Sequence, residues 1–186
     1  MKRLFVAIKI YPTTEFLRIF SQLTSDLRHE RIKWVEPHNI HITMKFFGET
    51  EENEIPAIKS ALQLAASQSK VFTMKISRTG IFGSRYDPKV IWFGIERDSS
   101  LDQLARNTLE ELKKAGWEPD RQNFVPHLTV GRIRELRDKE FFQQVIDQYR
   151  DAKIQEQLVK EVILYESILK PQGPTYISLA KFQIGQ

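Results

Sequence analysis

The sequence predicts an α+β fold made of two related halves, each an antiparallel sheet with helices packed outside. Three observations carry this. The tripeptide pattern His-x-Thr occurs twice, as His41-Ile42-Thr43 and His127-Leu128-Thr129, separated by 86 residues (41 to 127) in a chain of 186. Strand-like and helix-like segments alternate along the whole sequence. Most strand-to-strand connections are too short for the crossovers that parallel strands require.

The elements follow in order. Leu4-Phe5-Val6-Ala7-Ile8-Lys9-Ile10 is a short apolar run that reads as a buried strand. Pro12-Thr13-Thr14-Glu15 offers a helix start, and Phe16, Leu17, Phe20, Leu23 and Leu27 follow at helical spacing. Ile32-Lys33-Trp34-Val35 reads as strand and Pro37-His38-Asn39 as a turn. Ile40 through Phe47 forms the first motif strand, closed by Gly48. Thr50-Glu51-Glu52-Asn53-Glu54 is a capped, acidic helix start, with Ile55, Ile58, Leu62 and Ala65 as the helix's apolar face.

The second half repeats this grammar. Residues 71–76 and 90–95 read as strands flanking a loop over 79–89 that holds Gly80, Gly83 and Pro88. Asp98-Ser99-Ser100 starts a helix with Leu101, Leu104, Leu109 and Leu112, ending near Gly116. The second motif strand runs from His127 to Ile133, and 138–150 reads as a further helix. Residues 158–169 and 175–182 form a closing hairpin across Lys170-Pro171-Gln172-Gly173-Pro174. No linker or low-complexity stretch divides the chain, so residues 1–186 are expected to form one domain.

Composition sets bounds. The apolar fraction of 41%, with twelve Phe and three Trp, is enough for a core. There is no Cys, which excludes disulfides, zinc-thiolate sites and thiol nucleophiles and fits a reducing compartment. The apolar start is too short for a secretory signal, and no run approaches the ~20 apolar residues of a membrane helix. A cytoplasmic location is expected, with no membrane partner. The net charge of +4 is compatible with an anionic ligand or nucleic acid.

The two motifs carry the chemistry. Alternate strand residues share a face, so His41 and Thr43 point one way while Ile42 and Met44 point the other. His127 and Thr129 match them, with Leu128 and Val130 opposite. A single His-x-Thr is also what a buried, carbonyl-bonded His in a strand looks like; the pairing is what points to catalysis. In-line displacement at phosphorus needs a base on the attacking oxygen and an acid on the departing one. Imidazole serves either purpose near neutral pH. Threonine hydroxyls donate to the non-bridging oxygens, and no metal or other cofactor is then required.

Phe46 and Arg132 each lie five positions after their motif His. Strict alternation puts both on the apolar face. For Phe46 that means core packing, with base stacking as the alternative. Arg132 follows Gly131, where a bulge or the strand end turns it back toward the His face to bind phosphate; a solvated surface arginine is the other reading. His38-x-x-His41 has metal-ligand spacing, but its place in a turn argues against a shared direction, and no metal site is expected. His29 reads as solvated, and Arg85 and Tyr86 reach a polynucleotide only if their loop borders the site.

These paired motifs, His41-Ile42-Thr43-Met44 and His127-Leu128-Thr129-Val130, resemble the twin signature of the 2H phosphoesterase superfamily. Their context is similar to its RNA 2',3'-cyclic phosphodiesterase branch, the 2'-5' RNA ligase-like (ThpR/LigT) proteins. The supporting segments are Arg3-Leu4-Phe5-Val6-Ala7-Ile8, Lys33-Trp34-Val35, the stretch 39–49, Phe124-Val125-Pro126-His127-Leu128-Thr129 and Gly173-Pro174-Thr175-Tyr176. The resemblance implies two pseudo-symmetric lobes with a central cleft and both motifs on its floor. It implies hydrolysis of a terminal RNA 2',3'-cyclic phosphate to a 2'-phosphate, with reversible 2'-5' joining as a sister activity. By position, His41 would be the proton donor and His127 the proton acceptor. Thr43 and Thr129 would hold phosphate oxygens, Arg132 the phosphate side, and Phe46 the base. The implied partner is RNA with a cyclic phosphate end, such as a tRNA half, bound by a monomer. An RNA-end binding module, or an enzyme of a small cyclic nucleotide or ADP-ribose cyclic phosphate, stays open.

Overall fold

The computed structural model describes residues 1–119, 126–171 and 173–185. The chain runs β1 (Lys2–Lys9), α1 (Thr14–Asp26), β2 (Arg31–Trp34), β3 (His41–Thr50), α2 (Ile55–Ser67), β4 (Phe72–Ser84), β5 (Asp87–Ile95), α3 (Ser99–Lys114), β6 (His127–Glu135), α4 (Lys139–Gln148), β7 (Lys153–Val159), β8 (Glu161–Lys170) and β9 (Gly173–Gln183). One sheet has the order β3-β1-β8-β9, the other β2-β6-β5-β4-β7. Every ladder is antiparallel, as the short connections require.

Helix starts obey local chemistry. Thr13 Oγ1 accepts from the Phe16 amide at 3.2 Å, and Asp138 Oδ1 from the Phe141 amide at 2.9 Å. Glu51 and Glu54 form a capping box ahead of α2, extending the acidic start by a short 3-10 turn. Phe16, Ile19, Phe20 and Leu23 bury one face of α1, whereas Leu17 is exposed. A single apolar cluster includes Val6, Ile42, Leu128 and Phe93, so both sheets contribute to one core.

Three sequence expectations are corrected. Gly48 does not end the first motif strand: its φ of +77° lets β3 continue to Thr50. The 79–89 segment is not a loop but most of a hairpin, with its turn at Arg85 and Tyr86. Gly80 is there because the Trp92 ring lies where a Cβ would project. The run 158–169 is two strands, because the chain passes from one sheet to the other at Lys160. For this reason the sequence pattern does not separate β7 from β8.

Two polar clasps join the lobes. On one side, Gln157 accepts from the Tyr11 amide (2.9 Å) and donates to the Lys9 carbonyl (2.8 Å). Gln155 accepts from the Thr13 amide (2.8 Å) and donates to the Tyr11 carbonyl (3.0 Å). The two side-chain amides thereby act as strand partners for the segment that leaves β1, whose backbone groups have no ladder there. On the other side, Asn107 of α3 donates to the Gln68 carbonyl (3.1 Å) and to Ser69 Oγ (3.0 Å) at the end of α2.

Candidate active site

Between the sheets lies a cleft of about 600 Å³, lined by His41, Thr43, His127 and Thr129 together. Alternation brings this about. In both motif strands the histidine and threonine are half-buried on the cleft side, while Ile42 and Leu128 are buried in the core.

Beyond each threonine the ladder slips by one residue. Ala7 pairs with Thr43 but Val6 with Lys45, leaving Met44 unpaired. Trp92 pairs with Thr129 but Ile91 with Gly131, leaving Val130 unpaired. These are β-bulges at the same offset from each motif histidine, and a bulge reverses the facing of all that follows. Phe46 and Arg132 therefore line the cleft. Core packing is overturned for Phe46, which is 44% exposed and stacks on Phe5 at 5.4 Å. The expected turning of Arg132 near Gly131 is what the structure shows.

His41 is held on three sides. Its Nδ1–H donates to the Asn39 carbonyl at 2.6 Å, which fixes the tautomer and leaves Nε2 as the second nitrogen. Phe5 lies 4.9 Å from its ring and Tyr176 meets it edge-on at 5.2 Å. Asn39 is itself anchored by donation to the Pro174 carbonyl at 3.2 Å. Burial pushes the His41 pKa below its ordinary value of 6.5, and the Asn39 carbonyl opposes this in part. Burial also raises Tyr176, with Arg132 and Arg3 pulling the other way, so its hydroxyl stays a donor at neutral pH. His127 is packed edge-on by Phe82 at 4.7 Å.

The cleft is cationic. Lys33, Arg132, Arg134 and Lys170 line it, against Glu36 as the one lining carboxylate among the described residues. Lys33 of β2 lies opposite Arg132 in the ladder, and Arg3 lies 6.0 Å from the Phe46 ring. Such a surface suits a phosphate diester with an aromatic base beside it.

Other expectations are placed as follows. His38 sits in a 3-10 turn on the cleft wall, and no group of three or more His, Asp or Glu suited to a metal occurs among the described residues. His29 is exposed. Arg85 and Tyr86 do not line the cleft; Tyr86 is 81% exposed at the hairpin tip. Phe124 and Val125, ahead of the second motif, lie outside the described residues. Sequence reasoning passed over Asn39, Phe5, Tyr176 and Arg134 as site residues. Arg134 was recoverable, standing two positions from Arg132 on the same face.

Fold and cleft together define a two-lobed phosphoesterase of the two-histidine class. The model of the LigT like Phosphoesterase family matches residues 10–92 and 94–176, and the chain belongs to that family. It is 32% identical over 174 residues to an RNA 2',3'-cyclic phosphodiesterase of Methanocaldococcus jannaschii, covering 94% of this chain and 96% of that one. It is also 32% identical over 154 residues to the protein of that name from Methanothermobacter thermautotrophicus, with 83% of each covered. Among solved structures, TT0787 of Thermus thermophilus superposes with a TM-score of 0.78 at 26% identity, covering 98% of both chains. Escherichia coli LigT complexed with 3'-AMP superposes with a TM-score of 0.70 at 22% identity, covering 100% of this chain and 99% of that one.

Proposed function

We propose that this protein hydrolyses the 2',3'-cyclic phosphate at an RNA end to a 2'-phosphomonoester by metal-independent acid/base catalysis, the whole chain acting as one bilobal unit. The observation that carries this reading is the meeting of two His-x-Thr strands, equally bulged, in one cationic cleft. The names of the M. jannaschii and M. thermautotrophicus relatives support the substrate.

In this reading His127 takes a proton from the attacking water as its oxygen bonds to phosphorus. The bond from phosphorus to the 3'-oxygen breaks, and His41 protonates that oxygen. The order of acid and base follows the resemblance alone, since burial disfavours the His41 imidazolium that the acid role needs. Thr43, Thr129 and Arg132 hold the non-bridging oxygens, where charge accumulates. Phe46 receives the terminal base. The substrate is an RNA end such as a tRNA half, met by a monomer in the cytoplasm.

The test is an oligoribonucleotide with a 2',3'-cyclic end, incubated with the protein in excess EDTA. A 2'-phosphate product is expected, and its absence overturns the reading. Replacing one acid/base group costs ~10²–10⁴ in rate, so His41→Ala and His127→Ala should each fall by that factor with the melting temperature held within a few degrees. Turnover by both variants at the parent rate removes the residue assignment.

A further inference from the structure

A second hollow, of about 510 Å³, lies at the end of β1, where the chain crosses from β7 to β8. It opens on the same face of the first sheet as the cleft. Phe5, Ala7 and Lys9 of β1 stand opposite Phe46, Thr43 and His41 of β3, and opposite residues share a face. Ala7 also pairs with Ile163, and Ile163 with Lys181, so the row runs on across β8 to β9. The apolar cluster of Phe5, Ala7, Ile163 and Tyr165 underlies this face and joins the ring beside His41 to the edge of the hollow.

The hollow is cationic with apolar edges. Lys9, Lys160 and Lys181 line it, against Glu161 as the one lining carboxylate among the described residues. Glu161 is already engaged: it accepts from the Tyr11 hydroxyl at 3.2 Å, from Gln183 Nε2 at 3.1 Å and from Lys181 Nζ at 3.4 Å. Lys9 has no such partner. Its ammonium lies 5.6 Å from the Tyr11 ring, and no ion pair holds it among the described residues. Tyr11 and Leu158 stand in the open at 52% and 58% exposure. The backbone that carries Lys9 and Tyr11 is fixed by the Gln157 clasp, so the hollow is formed before any ligand arrives.

We propose that this hollow holds the RNA strand upstream of the cyclic end, with a phosphodiester between Lys9 and Lys181 and a base against Tyr11 and Leu158. The inference rests on the proposed function. A 2',3'-cyclic phosphate closes the 3' terminus, so the rest of the strand leaves the last ribose through its 5'-oxygen. In that reading the departing 3'-oxygen belongs to this same ribose and faces His41, and Lys9 is the residue across the ladder from His41. The strand therefore leaves on the side of His41, away from His127, where water enters. Ammonium groups on phosphates and an aromatic face under a base grip a single strand without reading its sequence. The substrate this selects is an oligonucleotide of any sequence, in preference to a lone cyclic nucleotide.

The test compares a 2',3'-cyclic mononucleotide with cyclic-ended oligoribonucleotides of increasing length, at several salt concentrations. In the parent, kcat/KM should rise about fivefold or more with length. Lys9→Ala and Lys181→Ala should each remove about threefold of that gain, flatten its log–log salt dependence by about 0.7, and leave mononucleotide turnover within about twofold. Lys181→Ala keeps the test readable if Lys9→Ala disturbs its ladder neighbour His41. A second readout needs no turnover: an RNA ending in an open 3'-phosphate, with 4-thiouridine upstream of its last nucleotide, is photocrosslinked to the full chain. The tryptic peptide Ile10–Arg18, which holds Tyr11, should carry the label. No length gain in the parent, a gain that both variants leave intact, or crosslinks confined to other peptides overturns the subsite. Failure of the functional reading would show separately, as no hydrolysis of a cyclic end of any length, with the crosslink still there to be read.

Discussion

Phe46 and Arg132 stand in the same relation to their motif histidines: each follows an unpaired bulge residue by two positions, and each is turned by that bulge into the cleft. One lobe thus presents an aromatic ring and the other a guanidinium from matched places. The symmetry lies in the backbone, and the division of labour lies in the side chains.

The bulge separates Phe46 from its neighbour in kind. Phe47 packs against the core and meets Trp117 edge-on at 5.1 Å. Phe47→Ala should cost about 2–3 kcal/mol, below a fully buried phenylalanine because the site is part-exposed. Phe46→Ala should change stability by less than about 0.5 kcal/mol and instead raise KM for a cyclic-ended RNA. Urea unfolding and steady-state kinetics on the two variants check this pair of opposite outcomes.

Arg132→Lys keeps the charge and loses the planar fork. If Arg132 grips phosphate through two parallel bonds, kcat/KM should fall about tenfold while the urea midpoint stays put. Equal kinetics in the two proteins would mean that only its charge is used.

The lowered pKa of His41 couples folding to pH. The unfolded chain takes up a proton near the ordinary 6.5, whereas the folded one takes it up only at a lower pH. Within that window the unfolded state binds more protons, so stability falls as pH drops from 6.5 to the folded value and levels off below it. Stability measured at several pH values should show this slope in the parent and lose it in His41→Ala.

Gln155 is buried and satisfies two backbone groups of the 9–13 segment. Gln155→Ala strands the Thr13 amide and the Tyr11 carbonyl, and should cost about 1–3 kcal/mol. The Gln157→Ala change lies nearer solvent, where water replaces the lost bonds, and should cost less. Amide hydrogen exchange at Thr13 should quicken in the first variant.

The motif faces, most helices and both histidines were legible because period-2 and 3.6-residue patterns are local. Gly131 marked the region where Arg132 is turned, by a bulge or by the strand end, and the residue of that second bulge is Val130, one position earlier. The first has no glycine to mark it, and Met44 looks like any core residue, so strict alternation puts Phe46 on the wrong face. Gly80, Gly83 and Pro88 imitate a loop because glycine signals both turns and close packing, and only the distant Trp92 decides between them. Tyr176 reaches His41 through the register of β8 and β9, which no local pattern encodes.

The path of the strands has a consequence for the chain as an assembly. β2 precedes the first motif yet lies in the sheet of the second, whereas β8 and β9 follow the second motif yet lie in the sheet of the first. Each half thus lends strands to the other, as two copies do in a domain-swapped dimer, here fused by a single covalent thread. A nick between α2 and β4 would leave two fragments, neither with a finished sheet. Mixed together, they should restore one another, and an active centre built this way can be reconstituted only as a pair.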